Sequence, residues 1–407
     1  MRKPGVLVIH NRYRQASGED AVVDAEIELL RSNGHRVTTY IRDNAAIQDS
    51  SLPRKALLFA HTSWNRQAYD ELQTLITREQ PDVAHCHNLL PLISPAAYSA
   101  CQSKGVPVVQ TLHNYRLLCP AGTLFRRGRV CRDCTRNLGL AATRGCYRNS
   151  RLQSAAVATM LAVHRRRGTW ERSIDAYITL SQFCRDQFSQ AGLPAGKLHV
   201  KPNFLSAELQ HHPQTGDYAV FAGRLSHEKG VLEMLVAWRE TRDIPLVVIG
   251  DGPLRAEVHE AVRQLGDDAR FLGPLELART RDWIGGARLV VVPSRWHEPF
   301  GMTLIEAASA GVPVIAARTG GIPEIVLENE TGLLFDPEDF GDLQRKLRWA
   351  WLHPAELAAM GAASLERFRQ RYSADANYSM LMNIYQAVLS NSNSQSHTDH
   401  SYSPLVY

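Results

Sequence analysis

Short apolar, β-branched runs alternate with longer, helix-patterned stretches along most of this chain. In the first half the runs are VLVIH from Val6, VTTYI from Val37, DVAHCH from Asp82, PVVQTLH from Pro107 and AYITLS from Ala176. In the second half they are YAVFAG from Tyr218, PLVVIG from Pro245, ARFLG from Ala269, RLVVVP from Arg288, PVIAA from Pro313 and GLLF from Gly332. Near-continuous apolar runs of this length predict strands buried on both faces. The stretch after the first run carries Val23, Ile27 and Leu30 at three- and four-residue spacing, with Glu19 and Asp20 at its start and Gly34 after its end. That is an amphipathic helix with an acidic first turn and a glycine stop.

Strand–helix alternation on this scale predicts an α/β fold with helices on both faces of parallel sheets. The pattern runs twice, and the halves divide near KLHVKPNFL, 197–205. We therefore expect two doubly wound, Rossmann-like parallel-sheet domains facing a cleft, one over 1–200 and one over 201–371. Ligands of such sheets sit at the carboxyl ends of the strands. The last 18 residues, 390–407, are rich in Ser, Asn and His and predict a disordered tail.

Composition narrows the class without naming it. A length of 407 residues exceeds one typical domain, and 44% apolar with 21% charged residues is ordinary for a soluble globular chain. A net charge of +5 does not suit a protein that coats nucleic acid. Arg2 and Lys3 precede only four apolar residues, too few for a signal-peptide core, and no segment reaches the roughly 20 apolar residues that span a bilayer. The expectation is a cytoplasmic protein whose seven cysteines are thiols or metal ligands.

The candidate chemistry lies just after the strands. In VVVPSRWHEPFGMTLIEAASAGVPVIAARTGGIPEI, from Val290, a strand gives way to a polar loop holding Glu298 and then to a helix from about Gly301. Free backbone N–H groups at Gly301, Met302 and Thr303 would cradle phosphate oxygens. Glu306, eight residues beyond Glu298, could grip a pair of sugar hydroxyls. Read singly, Glu298 is a helix cap and Glu306 a solvated helix residue. In FAGRLSHEKG, from Phe221, Arg224 and Lys229 flank the start of the next helix. Two cations beside a helix N-terminus suit a diphosphate and could stabilise its departure. VIGDGPLR has Leu254 and Arg255 where a third dinucleotide-binding glycine would stand, so it reads as a tight turn. In the first half, NRYRQASGED from Asn11 offers Gly18 for close backbone approach to a phosphate or sugar. His113 ends the fourth strand and so points into the cleft. The chain has no Asp-x-Asp for a divalent cation on a nucleotide diphosphate, no P-loop and no Gly-x-Ser-x-Gly elbow.

A further stretch, 113–149, holds Cys119, Cys131, Cys134 and Cys146, separated by eleven, two and eleven residues. One Cys-x-x-Cys plus two outer cysteines makes a full tetrahedral set for a structural zinc, with free thiols and disulfides as the alternatives. Cys86, Cys101 and Cys184 lack such spacing and read as core residues. From Arg116 to Arg151 there are nine arginines and one acid, Asp133. The following LQSAAVATMLAVHRRRGTW is apolar on one face and basic at its end. It could lie on an anionic membrane surface or pack on the core.

The segment EPFGMTLIEA resembles the glutamate–seven residues–glutamate motif of the retaining nucleotide-sugar glycosyltransferases of family 4, with the GT-B fold. GRLSHEKG and IGDGPL resemble that family's other donor-site segments, in the same order, and the resemblance covers about 5–389. It implies a C-terminal domain that binds a nucleotide-diphosphate sugar (a UDP- or GDP-sugar) and an N-terminal domain, with the cysteine insertion 114–150, that binds the acceptor. It further implies that Glu306 holds the ribose, Glu298 contacts the donor sugar, Arg224 and Lys229 bind the diphosphate, and His113 stands near the reacting centre. It implies retention of configuration and a final helix, 372–389, that crosses back onto the first domain; the missing Asp-x-Asp predicts catalysis without a metal or other cofactor. The acceptor of many bacterial relatives is a glycan on a lipid diphosphate, which suits a peripheral place on the inner face of the cell membrane and a role in surface polysaccharide or glycolipid synthesis. ASGED departs from the glycine pair of many relatives, so how closely that loop approaches the diphosphate is open. Rival readings are a sugar-nucleotide epimerase or phosphorylase on the same fold, or a zinc-loop module that binds nucleic acid. The cysteine stretch has few interleaved aromatics, which argues against nucleic acid as a partner.

Overall fold

The computed structural model describes residues 2–14, 18–47, 59–210, 216–241 and 243–398. The first domain contains β1 (Val6–Arg12), β2 (Val37–Asp43), β3 (Val83–Cys86) and β4 (Val108–Leu112), a short hairpin of β5 (Phe125–Arg126) and β6 (Arg129–Val130), then β7 (Ala176–Thr179) and β8 (Leu198–Val200). Its main sheet is parallel throughout, in the order β2-β1-β3-β4-β7-β8. The second domain contains β9 (Ala219–Ala222), β10 (Leu246–Ile249), β11 (Ala269–Gly273), β12 (Leu289–Val292), β13 (Val314–Ala317) and β14 (Gly332–Phe335). These form a second parallel sheet, ordered β11-β10-β9-β12-β13-β14.

All eleven runs read as strands lie in these sheets. The expected α/β architecture of two doubly wound domains is the one observed. Helices cover both faces of each sheet, so a strand such as LVVI of β10 is wholly buried and can be apolar at every position. Two apolar clusters flank the first sheet, and two flank the second. β8 was legible only as the boundary stretch KLHVKPNFL, because three residues with a partly exposed His199 carry no apolar run. The β5–β6 hairpin likewise gives no apolar signal.

Both sheets reverse their winding direction once. In the first sheet this happens between β1 and β3, in the second between β9 and β12. Crevices open at these points beyond the carboxyl ends of the strands. The turn after β10 is pressed against the segment after β9. Gly250 lies at φ 147°, and a Cβ there would collide with the Gly223 carbonyl oxygen. The glycines of VIGDGP therefore bring two strand-end loops into contact, consistent with their reading as a tight turn.

The final helix spans Ala374–Thr398. Leu381, Ile384, Tyr385 and Val388 pack with Val6, Val8, Val23 and Ile27 of the first domain. The helix runs past 389 into the stretch expected to be a disordered tail, and 399–407 lie outside the described residues. Among the described residues, no helix is long and apolar enough to cross a membrane.

Candidate active site

A cavity of about 290 Å³ lies between the domains, at the winding reversal of the second sheet. Its second-domain wall is built from the ends of β9 and β12: Phe221 to Arg224, Lys229, Ser294, Glu298 and the helix start at Gly301 to Thr303. Its first-domain wall holds Gly18, Glu19, His113 and Asn114. The structure thus brings together Gly18, His113, Arg224, Lys229, Glu298, Gly301, Met302 and Thr303. Glu306 does not line this cavity.

The second-domain wall is a carboxylate held by many donors. Lys229 Nζ donates to both oxygens of Glu298, at 3.0 and 2.7 Å. Ser294 Oγ and Trp296 Nε1 donate to Oε2 at 2.9 and 2.8 Å. Glu298 is therefore buried but satisfied, and it is not the helix cap of its bland reading. Gly320 supports the loop. It lies at φ 58°, and a Cβ there would collide with the Glu298 backbone; Gly321 N donates to Glu298 O at 2.8 Å. The helix Met302–Ser309 starts on Gly301 without a side-chain cap, so its first N–H groups are free to meet an anion. Arg224 is exposed at the cavity rim.

One turn along that helix, Glu306 is buried, and Arg281 Nε donates to its Oε1 at 3.1 Å. Burial raises its carboxyl pKa, against the pull of Arg281. Glu306 is thus not a solvated helix residue. Arg281 carried no signal in the sequence, because it lies on a polar helix far from any motif.

The first-domain wall is unusually polar within its core. His113 follows β4 and is half-buried, with Nε2 2.9 Å from His87 Nδ1. Glu19 stands beside it; its hydrogen bond from Tyr13 is 3.0 Å long, and burial raises its pKa. The domains touch around this site. Ser181 Oγ donates to Pro299 O at 2.9 Å, and Glu324 caps the helix Gln182–Gln190 through the Gln182 and Phe183 N–H groups, both at 2.7 Å.

The cysteine stretch belongs to the first domain and is not a free-standing module. Leu118, Cys119 and Leu124 are part of the first-domain core, as is Trp296 from the second domain. The neighbouring Cys134 thiol, with help from nearby backbone N–H groups and against the effect of burial, holds the Cys119 thiol below its usual pKa. Cys131 and Cys146 lie near enough to act on Cys134 electrostatically. Yet among the described residues the only set of three or more His, Cys, Asp or Glu drawn to ligand distance is Glu26, His85 and His87. Cys86, Cys101 and Cys184 are core residues. The apolar face of the helix Arg151–Arg166 is used by the core, through Val157, Met160 and Leu161. That corrects one reading: this face is not available to a membrane.

Comparison with known proteins bears on the family and the fold. Residues 17–209 match the family described as Glycosyltransferase Family 4, and 207–367 match Glycosyl transferases group 1. The chain is similar to the D-rhamnosyltransferase WbpZ of Pseudomonas aeruginosa, 32% identical over 160 residues, 39% of this chain and 42% of the relative. It is also similar to a glycogen synthase of Mycobacterium tuberculosis, 27% identical over 315 residues, 74% of this chain and 66% of the relative. The matches thus span less than two thirds of these relatives. Among solved structures, Anabaena HepE in complex with UDP-glucose superposes with a TM-score of 0.66 at 19% identity, covering 96% of this chain and all of that one. The sucrose-phosphate synthase of Thermosynechococcus elongatus gives 0.69 at 19% identity, with the same coverage. The fold is GT-B. The two abutting family matches, each under half of the chain, together span most of its length.

Proposed function

We propose that the protein is a retaining, family 4 glycosyltransferase that moves a sugar from a nucleotide-diphosphate sugar to a glycan or lipid-linked acceptor. The observation that carries this reading is the convergence of Lys229, Glu298, Arg224 and the free helix start at Gly301 on one interdomain cavity. Lys229, Arg224 and the N–H groups of Gly301, Met302 and Thr303 receive the diphosphate and hold the negative charge that develops as it leaves. Glu298, fixed by Ser294 and Trp296, accepts hydroxyls of the donor sugar. Glu306, backed by Arg281, binds the ribose just outside the cavity. His113 and Gly18 face the donor from the first domain. The acceptor attacks on the face the diphosphate leaves, and the departing phosphate takes the acceptor proton. No step calls for a catalytic metal, and the chain has no Asp-x-Asp to hold one.

HepE structures with UDP and UDP-glucose support a nucleotide-sugar donor, and the lipopolysaccharide and rhamnosyl transferases among the relatives support bacterial surface polysaccharide synthesis. Arg126, Arg127, Arg129 and Arg132 surround a hollow on the β5–β6 hairpin. They would face an anionic acceptor, such as a lipid diphosphate at the inner face of the membrane, and so place the enzyme in the cytoplasm at that surface. Cys119, Cys131, Cys134 and Cys146 would hold a structural zinc that folds this loop once their sulfurs draw together, since they do not stand at mutual ligand distance; the lowered pKa of the Cys119 thiol suits a thiolate ligand. A thermal-shift screen against UDP-, GDP-, TDP- and ADP-sugars tests the function. One base should raise the melting temperature, and a flat response to all four would overturn the proposal.

A further inference from the structure

Behind His113 lies a chain of buried polar groups that the donor site does not explain. Three imidazoles stack in file. The His85 and His87 rings are 4.3 Å apart at 28°, and the His87 and His113 rings 5.2 Å apart at 26°. Glu26, on the helix Gly18–Ser32, closes the file. Its Oε1 is 2.9 Å from His85 Nδ1, which hydrogen-bonds with the Tyr385 hydroxyl at 2.7 Å, and 3.4 Å from His87 Nε2; among the described residues neither Oε1 nor Nε2 has any other hydrogen-bond partner. Its Oε2 accepts from Lys201 Nζ at 3.0 Å. Glu26, His85, His87 and Lys201 are all buried. The cluster has the donors of a metal site, but the Lys201 ammonium already supplies the cation.

The protons in this file can be placed by elimination. Burial alone would raise the Glu26 pKa, but Lys201 and His85 hold it well below the usual value, so the carboxylate is charged. Burial, together with His85, lowers His87 to about 3, so its ring is neutral and has one N–H. If that proton were on Nδ1, the Nε2 lone pair would face the Glu26 carboxylate in a dry interior, two acceptors opposed, which is costly. The proton therefore sits on Nε2, and Nδ1 is an acceptor. His87 Nδ1 then needs a donor, and the group 2.9 Å away is His113 Nε2.

We propose that Glu26, acting through His87, is a positioning residue that holds the His113 ring with its proton on Nε2 and its Nδ1 bare. His113 lines both the donor cavity and an adjoining hollow in the first domain. The bare Nδ1 accepts a hydrogen bond from a sugar hydroxyl there. His113 is then a hydrogen-bond acceptor in the reaction and not an acid. The same elimination gives His85 and Lys201 a part: they keep Glu26 charged, and a protonated Glu26 would release the order of the file. The kinetic consequence rests on the function proposed above, whereas the tautomer does not.

The test is NMR of the imidazole nitrogens in ¹⁵N-labelled full-length protein. The expected spectrum shows His113 with a protonated Nε2 and an unprotonated Nδ1. In His87→Leu both His113 nitrogens should move to averaged positions, and kcat should fall about 10- to 100-fold from the lost orientation, with the donor KM changed less than about twofold. His87→Asn, whose side-chain oxygen can stand near the Nδ1 position, should recover most of the loss, which a merely structural role does not predict. Glu26→Gln should mimic His87→Leu; if it fails to fold, His87→Leu carries the test. A wild-type His113 protonated on Nδ1, or a His113 spectrum unmoved by His87→Leu, overturns the inference. If calorimetry shows no nucleotide binding while His113 keeps the expected tautomer, the functional reading fails and the tautomer assignment stands.

Discussion

Lys229 and Glu298 form a two-point ion pair, with the ammonium on both carboxylate oxygens at 3.0 and 2.7 Å. Each of the two is held by its pairing. A diphosphate entering beside Lys229 would share its protons with Glu298 while Ser294 and Trp296 keep the carboxylate in place. Lys229→Ala should therefore weaken nucleoside-diphosphate binding about 10- to 100-fold, the weight of a charge-assisted hydrogen bond. Isothermal calorimetry checks this, and unchanged affinity would remove Lys229 from the donor site.

Glu306 lies outside the cavity lining, buried against Arg281. A carboxylate that grips the ribose should matter only for ligands that have one. Glu306→Ala is expected to lower nucleoside-diphosphate affinity about tenfold or more and to leave inorganic diphosphate affinity within about twofold of wild type. An equal loss for both ligands would mean that the substitution disturbs the helix Met302–Ser309 instead.

The four cysteines predict about one zinc ion per chain by elemental analysis of freshly purified protein, as expected for a four-thiolate structural site. Cys131→Ser with Cys146→Ser should abolish binding and lower the melting temperature. A zinc content of zero in wild type would leave the loop to be held by its Cys119–Cys134 contact and its packing alone.

Catalysis by fixed cations and helix N–H groups should not need Mg²⁺ or Mn²⁺. Turnover measured just after adding EDTA should stay within about twofold of the untreated rate. Strict dependence on Mn²⁺ would contradict the proposed site.

The buried histidines set a direction for pH. The folded pKa of His87, about 3, lies below its usual 6.5. The unfolded chain therefore binds a proton that the folded chain excludes, and stability falls as the pH drops below 6.5. The loss from His87 alone approaches about 1.4 kcal/mol per pH unit. Glu26, lowered beneath 4.5, adds to the loss only below that value. Thermal unfolding at pH 7.5, 6.0 and 5.0 should show a decline already in progress above pH 5. A flat profile down to pH 5 would mean that these rings protonate in the folded state.

Much of this could be read from the sequence because it depends on local patterns. Strands buried on both faces must be apolar throughout, so all eleven runs marked strands. The cavity residues follow strand ends, where a doubly wound sheet opens. What escaped depends on distant contacts. Lys201 looks like a linker lysine, Arg281 lies on a polar helix, and Glu26, which period places on the apolar stripe with Val23 and Leu30, has partners that only the fold brings to it. His85 and His87 also left a trace, as two histidines at strand spacing in a run that should have been apolar.

Glu26 has one more consequence. The chain passes between the domains twice, outward at Lys201 and back at the start of the final helix, where Asn377 lies. Lys201 Nζ donates to Glu26 and to Asn377 Oδ1, each at 3.0 Å, and Asn377 Nδ2 donates to Pro202 O at 2.6 Å. Both crossings are thus riveted at one buried point on the first domain. A rotation that opens the cleft to admit donor and release product would have its pivot there, with the moving chain beginning just beyond Pro202 and ending just before Asn377. The carboxylate that sets the His113 proton would then also lie close to the axle on which the two domains swing.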